Sequence, residues 1–380
     1  MRIGIVCYPT FGGSGVLATE LGKALADKGH TVHFITYQQP VRLNVFNANI
    51  YYHEVRVPEY PLFDYPPYEV ALSSTMVDVI LKYNLDLLHV HYAIPHASAA
   101  YMAKQILRKQ GIDIPFITTL HGTDITLVGR DKTYEPVVAF SINESDAITA
   151  VSQNLRDETY KWFNIDKEIQ VIYNFVDVSR FNKKPIDAFK KVIAPGGEKI
   201  LVHASNFRAV KRVEDVIKVF SLVQQEVPAK LLMVGDGPER PGAEMLSESL
   251  GLSQHVRFVG KQEQMEEVLA VADLFLLTSN YESFGLSALE AMAAHVPVIS
   301  SNAGGIPEIN IHGKTGYMAN IGDVETMSRY AIELLQDEAR LAAFKQQAYE
   351  HATQFDIQNI IPIYEDLYRS FCKAGCWEKA

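Results

Sequence analysis

Cysteine is scarce in this chain: among 380 residues there are three, Cys7, Cys372 and Cys376. That is too few, and too unevenly placed, for a disulfide framework or a zinc-binding spacing. Long apolar runs are missing as well. No stretch approaches the 18 residues of a transmembrane helix, so no membrane association is expected. The N-terminus, MRIGIVCYP, enters a strand directly, without the charged segment and long apolar core of a signal peptide, and a cytoplasmic protein is expected. Cations are in deficit: Lys and Arg total 35 against 45 Asp and Glu, a formal net charge of −10. That balance argues against nucleic acid or an anionic membrane as the main partner, and any anionic ligand must be met by positive groups gathered locally. Internal repeats and low-complexity segments are absent, which removes solenoid architectures.

What is there suits a soluble globular protein: 48% of residues are hydrophobic and 21% charged, and the length suggests two domains. The first half alternates strand and helix. RIGIVCY, TVHFIT, IYYHEVRV, LDLLHVHY, PFITTLH and AITAVS read as strands, and IQVIYNFVD, 169–177, as a last strand. A helix over about 15–28 puts Leu17, Leu21, Ala24 and Leu25 on one face. A linker follows over about 177–197, and the alternation restarts with KILVHAS, KLLMVG, VRFVG, ADLFLLTS, VPVISS and TGYMAN. Strands separated by helices predict parallel, doubly wound sheets. The fold class is therefore α/β, with two Rossmann-like domains, 1–176 and 177–355, facing a cleft. A terminal helix over about 356–371 presents Ile360, Ile361, Tyr364 and Leu367 on one face.

The densest chemistry lies in residues 279–308, SNYESFGLSALEAMAAHVPVISSNAGGIPE. They predict the loop and helix of a βαβ unit, at the carboxyl end of a parallel strand where such folds bind ligands. The backbone N–H groups of Ser283, Phe284, Gly285 and Leu286 at the helix N-terminus suit a phosphate. Glu282 precedes the helix, and Glu290 follows roughly 7 Å further along it. ESFGLSALE resembles the E-x7-E signature of retaining glycosyltransferases with the GT-B fold, and GGIPE, 304–308, is similar to that family's loop after the next strand. The resemblance implies that Glu282 holds the transferred sugar and Glu290 the nucleotide ribose. It also implies that the terminal segment, 356–380, packs back on the first domain.

Other loops fit the same resemblance. FGGSG, 11–15, is not G-x-G-x-x-G, and the second strand ends in Thr36 and Tyr37 with no acidic residue for a ribose, which disfavours a nicotinamide dehydrogenase. Its likeness to the family's glycine-rich first loop assigns Gly13, Ser14 and Gly15 to the diphosphate. HGTD, 121–124, resembles the motif beside the transferred sugar, giving His121 that place, while Asp124 is expected to be a local cap. SNFRAVKR, 205–212, holds three cations in five residues. Lys211 matches the family's lysine on the diphosphate. The usual arginine five residues earlier is Asn206 here, and Arg208 is inferred to substitute for it. GDGPER, 235–240, and VGKQ, 259–262, are expected near the nucleobase.

RLNVFNANIYYHEV, YPPYEVALSS, HVHYAIPHA and TTLHGTDIT resemble members of the family that join N-acetylglucosamine, supplied as UDP-N-acetylglucosamine, to L-malate. A dicarboxylate acceptor needs a guanidinium and hydroxyl donors, for which Arg130, Tyr92 and Thr119 are the candidates in the first domain. The resemblance implies retention of configuration, with the β-phosphate oxygen taking the acceptor's proton. No Asp-x-Asp motif stands at a strand end, so neither metal nor cofactor is expected. A homo-oligomer is left open. The rival readings are a family member with another small or lipid acceptor, a UDP-sugar epimerase of the same fold, and a non-catalytic two-lobed binding protein.

Overall fold

A computed structural model describes the chain apart from residues 11, 44–45, 58–63, 130, 183–186 and 372–380. It divides into two compact units, one of Met1–Asn174 with the segment from Ile357 onward, the other of Phe175–Asp356.

Unit 1 is built on seven strands: β1 Arg2–Val6, β2 Thr31–Thr36, β3 Ile50–Glu54, β4 Leu87–His91, β5 Phe116–Leu120, β6 Ala147–Ala150 and β7 Ile169–Val171. Their order in the sheet is β3-β2-β1-β4-β5-β6-β7, and every pair is parallel. Helices after β1, β3, β4, β5 and β6 cover the faces, and β4 and β5 are buried along their whole length. Strands covered on both sides lose the apolar–polar alternation, and here the His and Thr residues of LLHVH and FITTL are buried with the rest. The helix Ile357–Phe371 also belongs here. It buries Ile357, Ile360, Ile361, Tyr364 and Tyr368, a stripe at helical spacing, with Leu367 at its margin. Tyr368 Oη lies 2.7 Å from His89 Nδ1. Glu365 accepts from Lys28 Nζ at 2.8 Å and lies 2.9 Å from His30 Nε2.

Unit 2 has six strands: β8 Lys199–Ser205, β9 Ala229–Gly235, β10 Val256–Gly260, β11 Leu274–Leu277, β12 Val298–Ser301 and β13 Gly316–Ala319. They run parallel in the order β10-β9-β8-β11-β12-β13. Phe220, Leu231, Leu276, Ile299 and Leu334 lie in one core cluster between the sheet and its helices.

Three local expectations need correcting. The strand expected over 169–177 ends at Val171, because Tyr173 onward no longer pairs with β6. The segment expected as a linker contains the short helices Val178–Phe181 and Asp187–Ile193, the first capped by Asp177. The first helix begins at Gly13, so Gly13, Ser14 and Gly15 form its opening turn and not a free loop.

Candidate functional site

In unit 2 the strand order reverses between β8 and β11. The loops leaving those strands flank the switch point, where open parallel sheets bind ligands. They are tied together by backbone: Asn280 N donates to Val210 O at 2.7 Å, and Thr278 Oγ1 donates to the carbonyls of Lys211 and Arg212 at 3.1 and 3.0 Å. That frame brings Lys211 Nζ to 2.6 Å from Glu282 Oε1, an oxygen that also accepts from Ser279 Oγ at 2.7 Å. Glu282 Oε2 has no protein partner among the described residues, and the lysine ammonium keeps two further donors. The pair can therefore accept a hydroxyl proton on one side and meet an anion on the other. Its side chains are 20% and 11% exposed, enough shielding from water for the charges to be felt.

The three cations of 205–212 divide. Arg212, in a left-handed conformation, is spent on Asp215 at 2.6 Å and is internal framework. Arg208 and Asn206 are exposed, and Arg208 has no ionic partner among the described residues. His203, one residue pair upstream on β8, was not singled out in the sequence. It bridges Leu276 O and Ser205 Oγ, and burial holds it neutral, down to about 4.

Gly304 explains the loop after β12. It has φ +57°, and a Cβ there would stand 2.1 Å from the carbonyl oxygen of Glu282. Gly305 N donates to that same carbonyl at 2.8 Å. The two glycines thus clamp the backbone that aims Glu282. Gly285 caps the helix Leu286–Ala293 at φ +97°. The first amide to close a helical bond is that of Ala288, onto Gly285 O, which leaves the Leu286 amide ahead of the helical ladder. Phe284 is buried, Ser283 and Leu286 are half-buried, and Glu290 is half-buried on the helix's second turn. The GDGPER turn packs its glycines on the Ser205 and Asn206 carbonyls, holding the other side of the loop.

In unit 1 the order reverses between β1 and β4. Tyr92, just past β4, donates from Oη to Ser14 Oγ at 2.7 Å, joining the two loops there. Two expectations change. A Cβ on Gly15 would lie 2.4 Å from Tyr8 O, so this glycine is required by the protein's own backbone whatever the ligand. Thr119 is buried with its hydroxyl engaged by His89 Nε2 at 2.7 Å and Thr149 Oγ1 at 2.6 Å, which removes it from the acceptor contacts. The Tyr92 proton is likewise already donated. Arg130 lies outside the described residues.

His121 follows β5 and is half-buried. Its Nε2 lies 2.8 Å from His91 Nδ1 with the rings stacked, and burial drives it down to about 3. Asp124 accepts from Ala93 N at 2.8 Å and Gly122 N at 3.1 Å, so it ties its loop to the segment after β4 and is more than the local cap expected; burial raises its carboxyl to about 6. The histidines of β4 escaped notice, although His89 and His91 two apart on a strand had to share a face. Among the described residues no cluster of three or more His, Cys, Asp or Glu could hold a metal ion, and no helix is long and apolar enough to cross a membrane.

Comparison with known proteins covers both halves. The model for "Glycosyl transferases group 1" matches residues 186–351, and that for "Glycosyltransferase Family 4" matches 11–180. The chain is 49% identical to the N-acetyl-alpha-D-glucosaminyl L-malate synthase of Bacillus anthracis, over 97% of this chain and 96% of that protein. An uncharacterized glycosyltransferase of Methanocaldococcus jannaschii is 29% identical over 83% of this chain and 84% of its own. Among solved structures, the Anabaena protein HepE, in complex with UDP and glucose, superposes with a TM-score of 0.82 at 20% identity, over 97% of this chain and all of that one, 100%. Sucrose-phosphate synthase of Thermosynechococcus elongatus gives 0.82 at 22% identity, over 97% and 98%.

Proposed function

This chain belongs to the GT-B glycosyltransferases, a family 4 half followed by a group 1 half, and from that premise we propose that it transfers N-acetylglucosamine from UDP-N-acetylglucosamine to the hydroxyl of L-malate. UDP leaves, the configuration at the anomeric carbon is retained, and the product is N-acetylglucosaminyl malate, made in the cytoplasm as the first step of bacillithiol assembly. The observation that carries the substrate assignment is the near-full-length likeness to a malate synthase. The arrangement of unit 2 supports the donor half of the reaction.

As UDP departs, negative charge grows on its β-phosphate. Within unit 2, Lys211, with Arg208 exposed nearby, would meet that charge together with the amides of Ser283–Leu286, electrostatic stabilisation of this kind usually being the largest catalytic term; the opening turn Gly13, Ser14 and Gly15 of unit 1 keeps the diphosphate role that the resemblance gives it. Glu282 Oε2 accepts from a sugar hydroxyl and fixes the ring in reacting geometry. Glu290 takes the ribose hydroxyls, and Asn206 lies along the same loop as Arg208. His121 stands by the transferred sugar, Tyr92 supports the glycine turn through Ser14, and Arg130 pairs with malate. The malate hydroxyl attacks from the leaving-group face and its proton passes to the β-phosphate oxygen, so no protein base and no metal take part.

The test is UDP release from UDP-N-acetylglucosamine with and without L-malate, with the product identified by mass. Malate-dependent release and a product of sugar plus malate are expected. Conversion of the sugar nucleotide without malate would establish an epimerase instead, and turnover with a different acceptor alone would remove malate.

A further inference from the structure

His96 Nδ1 makes a short contact with the carbonyl oxygen of His91. A carbonyl only accepts, so His96 carries its proton on Nδ1 and leaves Nε2 bare. That Nε2 is buried with no partner among the described residues, and so is Nε2 of His91; both residues are at most 2% exposed. The remaining link is His91 Nδ1 to His121 Nε2, 2.8 Å, where one ring must donate and the other accept. If His121 donated, His91 would carry its own proton on Nε2, as a buried N–H facing no acceptor. If His91 donates, what is buried is a lone pair facing no donor. Among backbone groups the orphaned N–H is the rarer of the two defects, and His96 already shows the second in the same cluster.

We infer that His91 is a positioning residue: it donates from Nδ1 to His121 Nε2 and thereby fixes His121 as the tautomer protonated on Nδ1. No protein group among the described residues binds His121 Nδ1, so that N–H is left for a ligand. Burial lowers both rings' affinity for a proton, in keeping with a neutral pair. His121 is then a neutral hydrogen-bond donor, suited to a sugar hydroxyl or phosphate oxygen and unsuited to removing the acceptor's proton. The tautomer follows from the cluster alone; its use on the sugar nucleotide rests on the function proposed above.

Nitrogen-15 NMR of the histidine-labelled full chain reads the tautomer directly, with His121→Asn assigning the resonance. A protonated Nδ1 and bare Nε2 are expected for His121, and the reverse pattern overturns the inference whatever the activity. Two substitutions then read the consequence. Asn at position 91 keeps an N–H donor close to the Nδ1 position, whereas Leu has none. His91→Leu should release His121 into a mixture of tautomers and lower kcat by ~10–100-fold, the scale on which histidine-orienting contacts act in metal sites, with His91→Asn recovering most of the loss. Equal kcat for the two variants overturns the positioning role. If His91→Leu does not fold, the wild-type spectrum still decides the tautomer. The expected tautomer in a chain that turns over no sugar nucleotide would sink the proposed function alone.

Discussion

Lys211 Nζ and Glu282 Oε1 stand 2.6 Å apart, so the two charged groups of the candidate site are coupled and a change to one is felt by the other. Lys211→Ala should lower turnover by about 100-fold or more, the scale for removing one donor to a transition-state anion, while Ser279 still holds Glu282 and keeps the loop in place. Steady-state UDP release measures it; a loss of under about threefold would put the diphosphate elsewhere. The two glutamates should separate by readout. Glu290→Gln should weaken UDP binding by ~1.5–3 kcal/mol, as a charged acceptor is lost, and Glu282→Gln should leave UDP affinity near normal but depress turnover. Calorimetry with UDP decides, and equal weakening in both would abolish the division of roles. For the acceptor, Arg130→Lys keeps the charge but loses the planar fork, and should raise the KM for malate while sparing that for the sugar nucleotide; an unchanged malate KM would dissociate Arg130 from malate.

At the scale of elements, the loop after β12 is as much part of the site as the glutamates. Gly304→Ala would put a Cβ where the Glu282 carbonyl stands, at a φ of +57°. Strain of this kind costs ~1–3 kcal/mol, and relief requires the Glu282 backbone to move. Reduced urea stability together with reduced kcat is expected; normal kcat would mean that the clamp does not aim the carboxylate. This element also shows what the sequence made legible. The loop and helix that carry Glu282 and Glu290 could be placed from the strand–loop–helix–strand pattern, because backbone rules fix where a parallel strand ends, whereas GGIPE and the roles of the two glutamates came from resemblance. Thr119 was misjudged, and the three cations of 205–212 could not be told apart, for the opposite reason. Hydroxyls and guanidiniums look alike in sequence whether they face a ligand or, as here, His89 and Asp215. The same blindness hid His91, whose partner is thirty positions away.

Over the whole molecule the buried histidines are unevenly shared. Burial drives His89 and His121 down to about 3 and His33 and His96 to about 4 in unit 1 and lowers His30, His53 and His91 there too, against His203, at about 4, and the less buried His295 and His351, also lowered, in unit 2. A free histidine titrates near 6.5, so below that pH the unfolded chain takes up protons that the folded chain refuses. Stability from these groups is complete above pH ~6.5 and declines as pH falls toward ~4, by roughly 1 kcal/mol per pH unit for each histidine. Glu365 works in the same direction lower down: burial raises its carboxyl, but the bonds from Lys28 and His30 outweigh that and hold it low, and its contribution fades as pH drops through the lowered value. Asp124, its carboxyl raised to about 6 by burial, works the other way below that pH and offsets about one histidine, so unit 1 should still be the acid-sensitive half. Urea unfolding at pH 7 and pH 5, with surviving fragments mapped after brief proteolysis, should show unit 1 lost first at pH 5; an equal shift in both units would refute it.

The helix Ile357–Phe371 has a consequence for how the protein is made. Unit 2 is one uninterrupted stretch of chain, whereas unit 1 is completed by a piece that leaves the ribosome after unit 2 has been translated. At about 5–20 residues per second the first 174 residues wait roughly 10–40 s with His89 missing its tyrosine and Lys28 and His30 missing their glutamate. The later-born half of the nascent chain is thus able to finish first, and the earlier-born half must be kept from aggregating, by its own partial structure or by a chaperone, until its last helix arrives.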